Sequence, residues 1–198
     1  MGNDKNENIV EIWFNNLSKI RSTEIQNLIK TTGCPDLKLP LWNNLDDAVV
    51  NTVISQMLSS KAADSIINRI YSHFKSSSNL LNYIIRSKLD KPLFGISIRK
   101  QKSLFYWANC PIRNKYNKMK ISKYEIEDLF TDVWGLGKWS IDMISIFYFC
   151  IPDVWPTSDS VIMKYTNTYF NGKKPASING LETITALCIW HGMNTNKF

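Results

Sequence analysis

Apolar residues recur along most of this chain at the three- and four-residue spacing of amphipathic helices. The clearest run starts after Asn43 and Asn44, which favour helix starts. The alternation of apolar and polar residues that marks a half-buried strand is absent from the sequence. The pattern therefore predicts an all-α protein, and the apolar face of its clearest helix comprises Leu45, Val49, Val50, Val53, Ile54, Met57 and Leu58.

Capping residues separate the other predicted helices. Ser97 opens one helix, and Ser122 with Glu125 has the spacing of a capping box at the start of another. The segment Trp139 to Phe149 is apolar almost all round, which is typical of a central buried helix. A further helix is expected to begin at Asp159.

Composition and charge narrow the function classes. The 198 residues are 44% hydrophobic, which is typical of a globular chain with a sizeable core. The formal charge of +7 favours a polyanionic partner, nucleic acid first and an anionic membrane second. The longest apolar run, Met143 to Pro152, is too short to span a bilayer, and no signal peptide precedes it. We expect an intracellular protein that does not bind membranes, in the cytoplasm or nucleoid of a prokaryote or in a eukaryotic nucleus.

The cysteines carry no metal-binding pattern. They form no CxxC pair and have no metal-ligand spacing, which argues against a zinc site and an iron–sulfur cluster. We expect reduced, mostly buried thiols and no required cofactor. The four cysteines are Cys34, Cys110, Cys150 and Cys188.

A tight glycine turn, residues 133–138, lies between two predicted helices. Glycines allow left-handed backbone and let an anion approach the amide groups. The N–H groups of Gly135, Gly137 and Trp139 would then bind a phosphate at the start of the next helix, where the helix dipole and the charge of Lys138 assist. An ordinary helix–helix turn with a glycine cap is the alternative.

Asp159 follows the turn by about twenty residues. A phosphate-binding turn, a rigid helix and one carboxylate in this order suit the removal of a base from DNA, because a carboxylate stabilises a positively charged sugar in the transition state. The same side chain is suited to cap the following helix. The two roles are compatible.

Four blocks resemble the helix-hairpin-helix (HhH-GPD) DNA glycosylase superfamily, most closely its AlkA-like 3-methyladenine DNA glycosylase II branch. The resemblance implies a two-lobed helical fold, with a central bundle at residues 41–144, a second lobe at residues 1–40 plus 145–198, and an active site in the cleft between them. The C-terminal segment after Trp190 departs from the family's pattern, since it lacks the proline and arginine found there. The blocks are residues 53–59 with Ala62-Ala63, residues 94–97 with Arg99-Lys100, residues 133–140, and residues 153–159.

The resemblance implies a role for each site residue. Asp159 is the catalytic carboxylate, acting on a base that has been flipped out of the helix. Trp139 stands where bifunctional members carry a Schiff-base lysine, which predicts a hydrolase without AP-lyase activity. Trp139 and Trp190 are candidate walls for a cationic base, and core packing is the alternative for both.

Two further sites follow from the same resemblance. Met57 would insert into the gap left by the flipped nucleotide, or pack in the core. Gln56 would hydrogen-bond near the base pocket, or bond to an internal backbone group. A structural monovalent cation would lie at the hairpin, bound by the backbone carbonyls of Thr131, Val133 and Leu136.

The sequence thus predicts a monomeric, monofunctional DNA N-glycosylase for base excision repair. Its partner would be double-stranded DNA containing alkylated purines such as 3-methyladenine or 7-methylguanine. One alternative is a glycosylase of the same fold for oxidised or mispaired bases, and another is a non-catalytic DNA-binding protein. The basic segment from Pro111 to Lys123 is either a further phosphate contact or a solvated loop.

Overall fold

The computed structural model of the chain describes residues 8–111, 113 and 121–198. These residues form ten α-helices and one short 3-10 helix, with no β-strand among them, so the all-α prediction is confirmed. Lys115, Lys118 and Lys120 of the basic segment lie outside the described residues. The helices are α1 (Ile9–Leu17), α2 (Thr23–Thr32), α3 (Leu45–Ser55), α4 (Ser60–Phe74), α5 (Ser77–Arg86), α6 (Ile98–Ala108), α7 (Lys123–Thr131), α8 (Lys138–Phe147), α9 (Ser160–Tyr169) and α10 (Glu182–Asn194).

The starts of the helices follow the polar caps in the sequence. Ser97 accepts a hydrogen bond from the Lys100 amide at the start of α6, and Ser122 with Glu125 completes the predicted capping box of α7. α8 differs, because its N-cap is Gly137 and no side chain caps it. The first amides of α8 therefore lack a capping side chain, unlike those of α6 and α7.

The chain divides into two compact units, Met1–Pro40 with Cys150–Phe198 and Leu41–Phe149. The predicted boundary after residue 144 lies inside α8, whereas the structural boundary lies just beyond the end of that helix. The active-site cleft that the sequence places between two lobes stays a prediction. No helix in the described ranges is long and apolar enough to cross a membrane.

The core of the unit Leu41–Phe149 is built around α3 and α8. α3 packs against α4, α5, α6 and α8. Its residues from 48 to 54 are all buried, and so are residues 140–146 of α8. The prediction of a central buried helix after the hairpin is therefore confirmed.

The carboxylate of Asp46, at the start of α3, joins three parts of this unit. It accepts hydrogen bonds from the buried indole of Trp107 on α6 at 3.0 Å and from Ser78 on α5 at 3.2 Å. Two nitrogens of Arg113 bind it at 2.7 and 2.6 Å. Burial alone would raise the pKa of Asp46, but the hydrogen bonds and charge of Arg113 and the bonds from Trp107 and Ser78 outweigh burial and lower it.

The other unit is built around α10, which packs against α1, α2 and α9. Residues 182–189 are buried on all sides of this helix. Near its end, a side chain at Gly192 would clash with Phe198 and approach Thr32. The C-terminal residues fold back over this point, with Lys197 donating to the Thr32 carbonyl at 3.1 Å. Glycine stands here because the tail packs directly against the helix.

Replacing Asp46 by alanine should lower the free energy of unfolding by about 2–4 kcal/mol at neutral pH, since it leaves a partly buried guanidinium and an indole N–H without their acceptor. Because the folded pKa of Asp46 lies below 3.8, this advantage of the wild type is present above that pH and is lost as the pH falls through the folded pKa. Urea unfolding at several pH values measures it. Asp90→Ala, at an exposed position, is the control and should change stability by no more than about 0.5 kcal/mol. A difference that does not shrink in acid would contradict the assignment.

Candidate active site

Two glycines shape the hairpin between α7 and α8 in different ways. Gly135 has φ +86°, and a Cβ there would overlap the Ser103 hydroxyl on α6 and lie 2.7 Å from the Ser103 Cβ. Glycine is required at this position by its conformation and by the approach of α6. Gly137 has an ordinary φ of −86°, and a Cβ there would meet nothing within 4 Å. The second glycine therefore leaves the approach to the first amides of α8 open.

The side chain of Gln56 fixes the hairpin to the end of α3. Its Nε2 donates to the Gly135 carbonyl and to the Ser140 hydroxyl, both at 2.9 Å. Of the two roles expected from the sequence, the structure thus shows the bond to an internal backbone group. Both N–H bonds of the amide point at the hairpin, so its nitrogen is committed there.

Lys100 on α6 also binds the end of α3. Its Nζ donates to the Ile54 carbonyl at 2.7 Å, one of the last carbonyls of that helix. Burial lowers the pKa of this ammonium group. Lys100, which belongs to one of the four blocks that resemble the glycosylase family, therefore caps the end of α3.

Met57 directly follows this anchored point, and it lies entirely in solvent. Its side chain is 100% exposed and its φ is +56°, in the left-handed region. That conformation costs a residue with a side chain about 1–2 kcal/mol. The alternative of core packing is therefore wrong. A strained residue that presents a bare apolar side chain is typical of a functional position.

Lys138, the first residue of α8, is held by acids. Its Nζ lies 2.5 Å from Oδ1 of the buried Asp142, one turn along the helix, and 3.4 Å from Glu127 on α7. Burial alone would lower the pKa of Lys138, but the bond to Asp142 and the charges of both acids outweigh burial and raise it. Burial also dominates at Asp142 and raises the pKa of its carboxyl group. The charge that the sequence assigns to a phosphate is therefore largely offset within the protein.

Asp159 is the N-cap of α9. Its Oδ1 accepts hydrogen bonds from the amides of Val161 at 3.0 Å and Ile162 at 3.1 Å. The indole Nε1 of Trp190, on α10, donates to the same oxygen at 3.1 Å. Three N–H groups thus hold the carboxylate at the start of a helix. The structure brings together two of the predicted site residues, Asp159 and Trp190, which are both half-buried.

Trp139 is the second residue of α8 and is half-buried. It belongs to the unit Leu41–Phe149, whereas Asp159 and Trp190 belong to the other unit. Its indole carries no amine, so this position cannot form a Schiff base.

The carbonyls assigned to a cation flank the hairpin turn. Thr131 is the last residue of α7, and the Val133 carbonyl already accepts the turn hydrogen bond from Leu136 at 3.1 Å. Neutral carbonyl oxygens suit a weakly hydrated cation, and each has a second lone pair. The site stays a prediction. In the described ranges, no group of three or more histidines, cysteines or acids could hold a metal ion.

The four cysteines form no disulfide, and they are not mostly buried. Only Cys188 is buried, Cys34 is exposed, and Cys110 and Cys150 are intermediate. Burial raises the pKa of Cys188 to about 12 and that of Cys150 to about 11, so these two thiols are poor nucleophiles.

The chain resembles DNA glycosylases in sequence and in structure. DNA-3-methyladenine glycosylase 1 of Schizosaccharomyces pombe is 32% identical over 123 aligned residues, which cover 57% of this chain and 52% of that protein. The chain thus spans about half the length of this relative. No family model matches the sequence.

Solved structures show the fold. The S. pombe 3-methyladenine DNA glycosylase (Mag1) in complex with abasic DNA matches with a TM-score of 0.70 and 23% identity, over 94% of this chain and 97% of that one. The 3-methyladenine DNA glycosylase of Archaeoglobus fulgidus matches with a TM-score of 0.69 and 15% identity, over 93% of this chain and 70% of that one. The predicted glycosylase fold is therefore confirmed.

The two hairpin glycines should respond differently to alanine. Gly135→Ala combines left-handed backbone with a clash against Ser103 and should cost about 2–4 kcal/mol of stability. Gly137→Ala should leave the thermal midpoint nearly unchanged but weaken the binding of duplex DNA, because its methyl group would cover the amides that are predicted to bind a phosphate. Thermal unfolding and fluorescence anisotropy measure the two effects. Equal DNA affinity of Gly137→Ala and wild type would contradict the assigned phosphate site.

Proposed function

We propose that this chain is a helix-hairpin-helix DNA glycosylase, and specifically a monofunctional DNA N-glycosylase for alkylated purines in double-stranded DNA. The observation that carries the proposal is the carboxylate of Asp159, held by three N–H donors at the position that the family resemblance assigns to catalysis. The 32% identical relative is named for 3-methyladenine, which supports the substrate class.

The proposed reaction breaks the bond between C1′ of the sugar and the nitrogen of the flipped base. As that bond lengthens, positive charge develops on the sugar, and the carboxylate of Asp159 stabilises it. A cationic alkylated purine leaves as a neutral base, so its departure requires little help from an acid. A water molecule then forms the new C1′–O bond and gives its proton to Asp159 or to solvent. The products are a free base and an abasic site.

Two observations support hydrolysis over lyase chemistry. Trp139 stands at the position of the family's Schiff-base lysine and has no amine. The neighbouring Lys138 is a poor nucleophile, because its ammonium is paired with Asp142 and Glu127 and its pKa is raised. A Schiff-base lysine needs the opposite, a lowered pKa and a free amine. Water is therefore the proposed nucleophile.

The aromatic side chains favour a cationic base. The Nε1 of Trp190 donates to Asp159, so this N–H group is not the one that would hydrogen-bond a substrate. Ring faces attract positively charged purines by stacking and cation–π contact. We assign Trp139 to the same task from the family resemblance. A glycosylase for oxidised or mispaired bases needs hydrogen bonds that read a neutral base edge.

In this proposal, the hairpin and the residues at the end of α3 bind the DNA. The open amides at the start of α8 receive a phosphate. Met57, bare and apolar, enters the duplex where the base has left and replaces part of the lost stacking. The amide of Gln56, the residue before Met57, bonds to the hairpin and so fixes the position of Met57 relative to it. We propose that the enzyme acts as a monomer, with a monovalent cation at the hairpin carbonyls.

Single-turnover excision from oligonucleotides that each contain one lesion tests the proposal. Asp159→Asn should lower the excision rate by about 10²- to 10⁴-fold. Asparagine caps helices as well as aspartate does, so stability and DNA affinity should change little. Asp153→Asn, at an exposed position a few residues earlier, is the matched control and should retain wild-type activity.

Each outcome of this assay separates one alternative. A wild-type protein that binds DNA but releases no base would be a non-catalytic binding protein. Release of an oxidised purine or a mispaired thymine, with no release of alkylated purines, would overturn the substrate class. Met57→Ala in the same assay should weaken the apparent affinity for the lesion duplex more than it lowers the saturated rate, and unchanged affinity would argue against insertion into the duplex.

A further inference from the structure

Two large aromatic side chains lie side by side on the surface next to the hairpin. Trp134, immediately before Gly135, is 44% exposed, and Tyr106 on α6 is 53% exposed. Their ring centroids are 5.6 Å apart with an interplanar angle of 39°. Apolar groups that are exposed side by side and rimmed by polar residues can mark an interaction site. The reactions and contacts proposed above do not use either ring.

Helix α6 runs beside both proposed DNA-binding elements, which are the end of α3 and the hairpin. Near its start, Lys100 binds the end of α3, just before Met57. Further along, Ser103 touches the hairpin at Gly135, and Tyr106 then reaches Trp134. One face of α6 therefore follows the edge of the surface that extends from Met57 to the hairpin.

The exposed face of α6 beside this edge is basic. Arg99, Lys102 and Tyr106 are spaced by three and four residues, so they share one side of the helix. All three are exposed. Within the described part of the chain, neither Arg99 nor Lys102 forms an ion pair. Lys138, by contrast, is paired with two acids. Helix α6 therefore carries positive charge that no acid of the described residues pairs with.

We propose that Arg99, Lys102, Tyr106 and Trp134, which we name the α6 surface, bind the DNA backbone that continues from the hairpin phosphate. The two cations contact phosphates, and the two rings pack on the adjoining deoxyriboses. The assignment rests on the DNA binding in the proposed function. The contacts of the α6 surface would supply the salt-dependent part of the DNA affinity, which the acid-paired Lys138 does not supply.

The combination of groups favours a nucleic-acid backbone over a protein partner. Cations without acids among them match the regular negative charge of phosphates. Arginine, lysine and tyrosine are common donors to phosphate and sugar groups, which receive most protein–DNA hydrogen bonds. Continuity with the open amides at Gly137 places the surface where a bound strand extends.

The salt dependence of DNA binding tests this surface. The probe is a fluorescein-labelled duplex with a tetrahydrofuran abasic analogue, measured by anisotropy between about 50 and 200 mM salt, where each phosphate contact contributes about 0.9 to the log–log slope. Arg99→Ala/Lys102→Ala should reduce the slope by about 1 to 2. Tyr106→Ala should weaken affinity several-fold without changing the slope. Arg86→Ala/Lys88→Ala, with the same charge change at exposed positions around the end of α5, should match the wild type.

The excision assay separates failure of this surface from failure of the proposed function. The Arg99→Ala/Lys102→Ala variant should need a higher protein concentration than the Arg86→Ala/Lys88→Ala control to reach half of its maximal single-turnover rate, because it binds the lesion duplex more weakly. An unchanged slope, or an equal loss in the Arg86/Lys88 control, would overturn the α6 surface even if the wild type excises bases. If the wild type releases no base, but the Arg99→Ala/Lys102→Ala variant has a smaller salt slope than the wild type, the α6 surface is supported and the proposed glycosylase activity is rejected.

Discussion

One side-chain amide determines how the proposed DNA-binding elements of this protein are arranged. Gln56 leaves the end of α3 and donates to both the Gly135 carbonyl and the Ser140 hydroxyl. Those bonds reach across the hairpin from its first glycine to the first turn of α8. Because Met57 follows Gln56 directly, the position of the proposed apolar wedge and that of the amides proposed to bind phosphate depend on the same group. On α6, Lys100 donates to the Ile54 carbonyl near the end of α3, and Ser103 lies against Gly135 of the hairpin.

At the candidate catalytic carboxylate, too, one set of hydrogen bonds has two structural roles. The two amides that Asp159 caps are needed to start α9, and the indole of Trp190 adds a third donor from α10. Hydrogen bonds that stabilise the helix start also fix the position of the acid. A charge-stabilising group gains most when it is held in place before the reaction, because no reorganisation is then required. The fold thus supplies preorganisation through a common capping interaction.

The sequence predicts the parts of the structure that depend on local pattern. Helical periodicity, the capping box at Ser122 and the glycine hairpin involve neighbouring residues, and the structure contains all three. The family resemblance predicted the fold, and Asp159 lies at a helix start as its own chemistry requires. Local pattern decided these elements because few alternatives compete with them.

Properties that depend on tertiary packing could not be read from the sequence. Met57 continues the apolar stripe of α3, but the helix ends at Ser55 and the left-handed backbone at residue 57 turns the side chain into solvent. The pairing of Lys138 required that Asp142 be buried one turn away, although their four-residue spacing was a usable signal. The contact between Ser103 and Gly135 joins distant segments and has no local signature.

Sodium borohydride trapping on DNA that contains a methylated purine distinguishes hydrolysis from lyase chemistry. Each turnover should release one methylated base and leave an intact strand with an abasic site, which breaks only after treatment with alkali. No borohydride-stable adduct of protein and DNA should form, because the Trp139 position carries no amine and Lys138 is engaged by acids. A trapped covalent adduct, or strand cleavage that accompanies base release without alkali, would contradict the proposed hydrolysis.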